Sequence, residues 1–193
     1  HKLQLKVHAW VNVYMLWSAE KHPTYEHHLF NRHPDWLDAV MEETNKYLYT
    51  TERLTTDASG QDGFYLAPNH PSVNPYLLAV FKEILNNYNL DGLHLDYVRY
   101  KNEFHGYNPV GIEQFKSQYN TKHNFDSGYS QTIIREESYK DSLIKREEFL
   151  LNSVTVLLLK LNSFIKKSNR EMMLSAAVKP NIEMAKKLYY QEW

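Results

Sequence analysis

The sequence predicts an α/β domain in which parallel β-strands alternate with amphipathic helices. Strand-like stretches at Leu5 to Val13, Leu90 to Asp96 and Met172 to Val178 are rich in branched and apolar residues. A long segment with helical periodicity separates the second stretch from the third. Because a strand, a crossover helix and a parallel strand form a right-handed unit almost without exception, we expect the three strands to be parallel members of one curved sheet with helices on its outer side.

The first strand has one apolar and one polar face, since side chains alternate across a strand. The apolar face carries Val7, Ala9, Val11 and Val13. The polar face carries His8, Trp10 and Asn12. Such a strand is covered by helices on one side and turns its polar groups away from them. This fits a barrel whose mouth holds a ligand.

The second strand has the same construction. Leu93 and Leu95 share its apolar face, whereas His94 and Asp96 share the polar face. Asp91 and Gly92 open it as a turn. Asp96, Arg99 and Tyr100 crowd its carboxyl end, where α/β barrels place their chemistry. This strand end is therefore the predicted site.

Helices and one short strand are predicted between the main strands. Asn74-Pro75 and Asn108-Pro109 are typical helix starts, because Asn caps the helix and Pro suits its first turn. Leu143 to Lys167 carries apolar residues at intervals of mostly three and four, which predicts a strong amphipathic helix. The other predicted elements are a short helix at Asp35 to Tyr49, a short strand at Phe64 to Ala67, and helices at Asn74 to Tyr88 and Pro109 to Tyr119.

Composition indicates a soluble globular domain. The chain has 193 residues, a net charge of −1 and 42% hydrophobic residues. Without a basic block there is no electrostatic case for a nucleic-acid partner. No run approaches the ~20 apolar residues of a membrane span. The absence of Cys excludes disulfides and thiolate metal sites.

Five stretches occur in the order and rough spacing of one known family. They are His8-Ala9-Trp10-Val11-Asn12, His33-Pro34-Asp35-Trp36-Leu37, Tyr65-Leu66-Ala67-Pro68, Asp91-Gly92-Leu93-His94-Leu95-Asp96-Tyr97-Val98-Arg99-Tyr100 and Leu174-Ser175-Ala176-Ala177-Val178. On these residues the chain resembles glycosyl-hydrolase-like family 10, bacterial TIM-barrel proteins distinct from the family 10 xylanases. The resemblance covers nearly the whole chain. It implies a (β/α)8 barrel, hydrolysis of glycan chains (peptidoglycan among them for some members) and an extracytoplasmic location.

A complete barrel needs eight strands and typically ~250 residues, and three convincing strands are visible here. We therefore expect residues 1–193 to be a single catalytic-type domain that forms the middle part of a barrel, as a fragment of a larger protein. Gln191-Glu192-Trp193 resembles a Gln-Asp-Trp element that precedes the next barrel strand in the family.

Glycoside hydrolysis usually needs two carboxyl groups, placed on either side of the scissile bond. Asp96 is the first candidate, as nucleophile or base, and Arg99 beside it would keep the carboxylate ionised. The alternative is an Asp–Arg pair that only ties the strand to its loop. The resemblance suggests Glu192 as the second carboxyl group. Glu103 on the loop after Asp96, or a residue in the missing strands, is the other option.

The remaining candidates are side chains that suit a sugar ligand. Imidazole and amide groups at His8, Asn12, Asn69 and His94 could hydrogen-bond sugar hydroxyls. Aromatic rings at Trp10, Trp36, Tyr97 and Tyr100 could stack on sugar faces. Arg99 completes the predicted substrate-binding set.

Three functions compete on these residues. The first is a glycosidase acting on a bacterial or dietary polysaccharide, with Asp96 central and no cofactor. The second is a metal-dependent barrel hydrolase, because His8, His94 and Asp96 together would suit Zn²⁺. No His-Glu-x-x-His signature accompanies them, so no metal site is expected. The third is a non-catalytic carbohydrate-binding protein that kept the cleft and lost the acid.

Overall fold

A computed structural model describes residues 5–19, 21–41, 47–49, 63–121, 137–168 and 171–192. The strands are β1 (His8–Asn12), β2 (Met15–Trp17), β3 (Ala39–Met41), β4 (Tyr47–Tyr49), β5 (Phe64–Tyr65), β6 (Gly92–Asp96) and β7 (Met173–Ala176). The α-helices are α1 (Leu29–Arg32), α2 (Val73–Asn87), α3 (Pro109–Tyr119), α4 (Glu137–Lys167) and α5 (Ile182–Tyr189), and a 3₁₀ turn spans Pro34–Trp36.

The central sheet has the order β1-β6-β7, and both pairings are parallel. The register places Trp10 beside His94 and Asn12 beside Asp96. On the other side of β6, His94 lies beside Ser175. The predicted parallel arrangement of the three main strands is therefore confirmed.

The two faces of this sheet differ as the alternation predicts. Leu93 and Leu95 are fully buried, whereas His94 and Asp96 are half-buried on the opposite face. The hydrophobic core lies behind the buried leucines and includes residues of both α2 and α4. Burying one such leucine side chain contributes ~1.5–3 kcal/mol to folding.

Helix α4 supplies a large part of this core. Its buried residues include Leu150, Val154, Leu157, Leu161 and Ile165. By length and composition alone α4 could also cross a membrane, although core helices of soluble proteins pass the same test. Since one face of α4 packs into the core behind the sheet, this structure uses it as a core helix.

The helix predicted at Asp35 to Tyr49 is wrong. After the 3₁₀ turn, the chain extends into β3, which pairs antiparallel with β4, and residues 42–46 lie outside the described part. Leu37 forms a β-bridge with Leu66, and Asp38 N–H donates to the Tyr65 carbonyl at 2.8 Å. Pairing with β5, which is distant in sequence, overrides the local helical pattern.

The ranges of the other predicted helices agree with the sequence, although α2 begins at Val73 with Ser72 at its N-cap, so Asn74 lies inside the helix and does not cap it. Helix α3 spans the predicted residues, and the Asn108 side chain accepts from Gly111 N–H as its cap. Helix α4 begins at Glu137 rather than Leu143. Helix α5 and the short strand β2, antiparallel to β5, were not predicted. Both are short, which leaves little periodic signal in the sequence.

We expect Gly63→Ala to destabilise the fold by at least ~2 kcal/mol, because residues other than glycine are strained at positive φ. Gly63 has φ +92°, and an added Cβ would lie 2.1 Å from the Trp17 carbonyl oxygen. Chemical denaturation of the complete protein measures the loss. Gly92→Ala is the matched control, since its Cβ meets the exposed His8 ring, which can rotate away. Equal losses for both variants would contradict the expectation.

Candidate functional site

The candidate site is the polar face of the central sheet, formed by His8, Trp10, Asn12, His94, Asp96 and Ser175. These side chains come from three adjacent strands and lie in register across the sheet. Trp10 is 69% exposed, and His8 and Asn12 are also exposed. The face thus offers hydrogen-bonding groups around one open indole ring.

Asp96 ends β6, and two N–H donors fix its carboxylate. Tyr97 N–H donates to Oδ1 at 2.7 Å, and the Trp10 indole N–H donates to Oδ2 at 3.2 Å. The first bond accompanies a left-handed backbone at Tyr97, with φ 50°. Non-glycine residues in this conformation are uncommon and cluster at functional sites. A carboxylate has about four acceptor positions, so two remain for a ligand.

Arg99 does not pair with Asp96 as the sequence suggested. Its Nη1 donates to the carbonyls of Tyr100 and Lys101 at 3.1 and 3.0 Å. The guanidinium lies over the rings of Tyr65, Tyr97 and Tyr189, at 5.8, 5.3 and 4.8 Å from their centroids. Arg99 is 7% exposed. Cation–π and carbonyl contacts thus hold it inside the loop after β6.

His8 and His94 lie on the polar face, nearer than Asp96 to the amino ends of the strands. His94 Nδ1 is 2.9 Å from Ser175 Oγ, and the Trp10 ring meets the His94 ring edge-on at 4.9 Å. The His8 ring lies across Gly92, where an added Cβ would approach its Nδ1 to 2.5 Å. Gly92 therefore makes room for a site histidine and does more than form a turn.

The metal-site alternative would place His8, His94 and Asp96 around one ion. Within the described ranges, no three His, Asp or Glu side chains converge as ligands of one ion. His94 Nδ1 is engaged with Ser175, and the Trp10 indole interacts with both His94 and Asp96. His8, His94 and Asp96 are therefore on one face without forming a ligand set.

Three predicted sugar-binding residues lie away from this face or are covered. Tyr100 is fully buried and packs against Tyr190 at 5.2 Å, so it belongs to the core. Asn69 is 5% exposed and donates to the Gly106 carbonyl at 3.2 Å. Trp36 stacks on His33, with ring centroids 4.1 Å apart. One face of the Trp36 ring is thus already occupied.

Glu192 is exposed and forms an ion pair with Lys186 at 2.7 Å. The adjacent Gln191 is buried, and its Nε2 donates to the carbonyls of Val98 and Ala177 at 3.4 and 3.3 Å. The Gln191 amide thereby ties the segments that follow β6 and β7. Sequence reasoning identified the Gln-Glu-Trp element but not this bridging role, which depends on long-range contacts.

Asp38 is a second carboxylate that the sequence did not single out. It is fully buried, and Gly106 N–H approaches its two oxygens at 3.0 and 3.2 Å. Arg146, also buried, donates to the Gly106 carbonyl at 3.2 Å. Burial raises the pKa of Asp38 to about 7, against the lowering effects of the Ala39 and Gly106 amides and of Arg146. Asp38 thus anchors the loop after β6 from within the core.

The architecture is that of a mixed α/β domain. A parallel sheet backed by helices, with an oriented carboxylate at the carboxyl end of its central strand, is compatible with part of a (β/α)8 barrel, whose sites lie at that end of the strands. The family model described as "Glycosyl hydrolase-like 10" matches residues 1–193. The chain therefore belongs to the glycosyl hydrolase-like 10 family.

Two further proteins are similar to this chain. The chain is 27% identical over 116 residues to an S-layer-related protein of Niallia circulans, which corresponds to 60% of this chain and 7% of that protein. It is also similar in fold to the PgaB (BpsB) glycoside hydrolase domain from Bordetella bronchiseptica. That match has a TM-score of 0.54 and 13% identity, and covers 98% of this chain and 47% of the other. The chain thus spans less than half the length of either relative.

We expect the stability of this domain to depend on the protonation of Asp38. Its folded-state pKa of about 7 lies above the ordinary value of 3.8, so the folded state binds the proton more tightly. The associated stability is fully present below about pH 4 and is lost as the pH rises through about 7, with a slope of at most ~1.4 kcal/mol per pH unit.

Asp38→Asn should abolish this pH dependence of the free energy of unfolding, whether the substitution raises or lowers the stability at a single pH. Denaturant titrations between pH 4 and 8, with hydrogen exchange of the 101–108 loop as a local readout, measure it. Asp141→Asn on the exposed face of α4 is the control and should keep the slope. A wild-type slope that persists in Asp38→Asn would contradict the assignment.

Proposed function

We propose that this chain contributes the carboxylate of a glycoside hydrolase, with Asp96 as nucleophile or base. The orientation of the Asp96 carboxylate at the carboxyl end of β6 carries the proposal. Both oxygens are held by neutral N–H donors, and the neighbouring side chains are sugar-compatible. The family assignment supports glycan chemistry, and the complete protein would form a (β/α)8 barrel.

The polar sheet face supplies the groups that would hold a sugar. The Trp10 indole is 69% exposed on this face and could stack on a pyranose face. His8, Asn12 and His94 surround it with donors and acceptors for hydroxyl groups. Bacterial or dietary polysaccharides outside the cytoplasm, peptidoglycan strands included, are the proposed substrates.

Hydrolysis by this route needs a second carboxyl group, ~5–5.5 Å from the first for retention or ~6.5–9.5 Å for inversion. Glu192 remains the proposed partner within this chain. The Gln191 side chain beside it ties together the segments that follow β6 and β7, so Glu192 adjoins the same end of the sheet as Asp96. Its use in catalysis requires release of the ion pair with Lys186.

A non-catalytic carbohydrate-binding protein is the second candidate. The exposed Trp10 ring and its polar neighbours favour glycan binding with or without hydrolysis. Substitution of Asp96 distinguishes the two functions, because glycan binding alone does not need a charged carboxylate at this position.

We expect Asp96→Asn in the complete protein to lower glycan hydrolysis by at least ~10²-fold, the lower end of what a positioned acid or base contributes. Folding should survive, since Asn keeps the volume and one acceptor for Tyr97 N–H. Release of reducing ends measures hydrolysis, and equilibrium binding should change little. His94→Ala and Trp10→Ala should instead weaken binding in the ground and transition states alike.

Asp141→Asn makes the same substitution at an exposed position of α4 and serves as the control. Hydrolysis by Asp96→Asn at the parental rate would refute the catalytic role. A parent protein that binds glycans without cleaving them would favour the carbohydrate-binding function. Loss of the folded state in Asp96→Asn would make Asp96 a structural residue.

We expect hydrolysis to persist after dialysis against a chelator. The reason is geometric, because His94 Nδ1 is engaged with Ser175 and, among the described residues, no three His, Asp or Glu side chains converge on one point. Activity before and after chelation, with elemental analysis of the purified protein, measures this. Stoichiometric zinc together with activity lost on chelation would favour the metal-dependent alternative.

A further inference from the structure

Two cations lie close to one tyrosine ring at the carboxyl end of the sheet. Lys179 Nζ is 4.6 Å and the Arg99 guanidinium carbon 4.8 Å from the centroid of the Tyr189 ring. Such contacts attract a cation to the ring face. The ring therefore holds two positive charges beside the segment that begins at Asp96.

The backbone around Lys179 is fixed toward this end of the sheet. Lys179 N–H donates to Gln191 Oε1 at 2.9 Å, and Gln191 also contacts the carbonyls of Val98 and Ala177. Tyr100 N–H donates to the Tyr189 carbonyl at 3.1 Å. Lys179 and Tyr189 are thus tied by hydrogen bonds to the loop that follows Asp96.

The charge of Lys179 is not neutralised within the described part of the chain, where it forms no ion pair. By contrast, Lys145 and Lys186 lie 2.6 and 2.7 Å from carboxylates. Lys179 is half-buried, so its position is restricted. An ammonium group has three donors, and a ring face satisfies none of them fully. Lys179 follows β7 at the carboxyl end of the sheet, the end at which Asp96 lies, so an anion bound at this end would meet a positioned cation.

We propose that Lys179, positioned by Tyr189 and Gln191, binds an acidic substituent of the glycan and makes the site selective for acidic polysaccharides. This inference rests on the proposed function and deepens it by naming the substrate class. Arg99 contacts the same Tyr189 ring but is buried and bonded to backbone carbonyls, so Lys179 is the cation assigned to the ligand.

The test compares each glycan in two forms, one with a charged carboxylate and one in which a methylamide removes that charge. The measurement is equilibrium binding to the complete protein. The ligands are peptide-free peptidoglycan strands, oligogalacturonate and hyaluronan oligosaccharides, each as the free acid and as the methylamide. We expect the free acid that binds most tightly to have an affinity at least ~10-fold higher than that of its methylamide, because charge-assisted hydrogen bonds are worth ~1.5–3 kcal/mol. Lys179→Met should abolish this preference, and Lys179→Arg should retain it.

Lys187→Met is the matched control, because it removes the same charge from the exposed surface of α5. It should keep the preference. Equal binding of both forms by the parent, or a preference that survives in Lys179→Met, overturns this inference and leaves the proposed function standing. Failure of the parent to bind any of the glycans in either form counts against both. Circular dichroism shows whether each variant is folded.

Discussion

The parallel pairing of β6 with β1 on one side and β7 on the other is the constraint on which the structure depends. It brings together residues more than eighty positions apart, such as Trp10 and His94. Because side chains alternate, a register slip of one residue would turn Asp96 toward the core and a leucine toward the open face. The buried leucines behind the sheet therefore also determine the position of the site.

The two notable carboxylates of this chain show how burial separates structural from chemical roles. Asp38 is fully buried, and its carboxylate accepts hydrogen bonds from the backbone amides of Ala39 and Gly106. The packing around it therefore keeps ligands away from its oxygens. Asp96 has one amide and one indole donor and remains half-exposed. Both stabilise local backbone, and Asp96 alone keeps acceptor positions that a ligand can reach.

Local patterns were enough to predict the three strands of the central sheet, their faces and the start of α3, because alternation and capping depend on neighbouring residues. They did not predict the partners of Arg99, the burial of Tyr100 or the role of Asp38. Each of these depends on contacts from distant segments, such as Tyr189, Tyr190 and Gly106. The error at Asp35 to Tyr49 has the same origin, since pairing with β5 overrides the local preference. The strand end and the polar side chains of β1 and β6 could thus be predicted from the sequence, whereas the burial of Asn69, Arg99 and Tyr100 could not.

The hydrogen bond between the Trp10 indole and Asp96 gives the protein an intrinsic optical reporter. The fluorescence of an exposed indole that donates to a carboxylate depends on the charge and the solvation beside the ring. Trp17 donates instead to the Lys21 carbonyl, and Trp36 is stacked on His33, so both have different surroundings. Any molecule that covers the open face of Trp10 or withdraws Asp96 from its indole N–H would change the fluorescence of that one residue. Occupancy of the site could therefore be followed without a label.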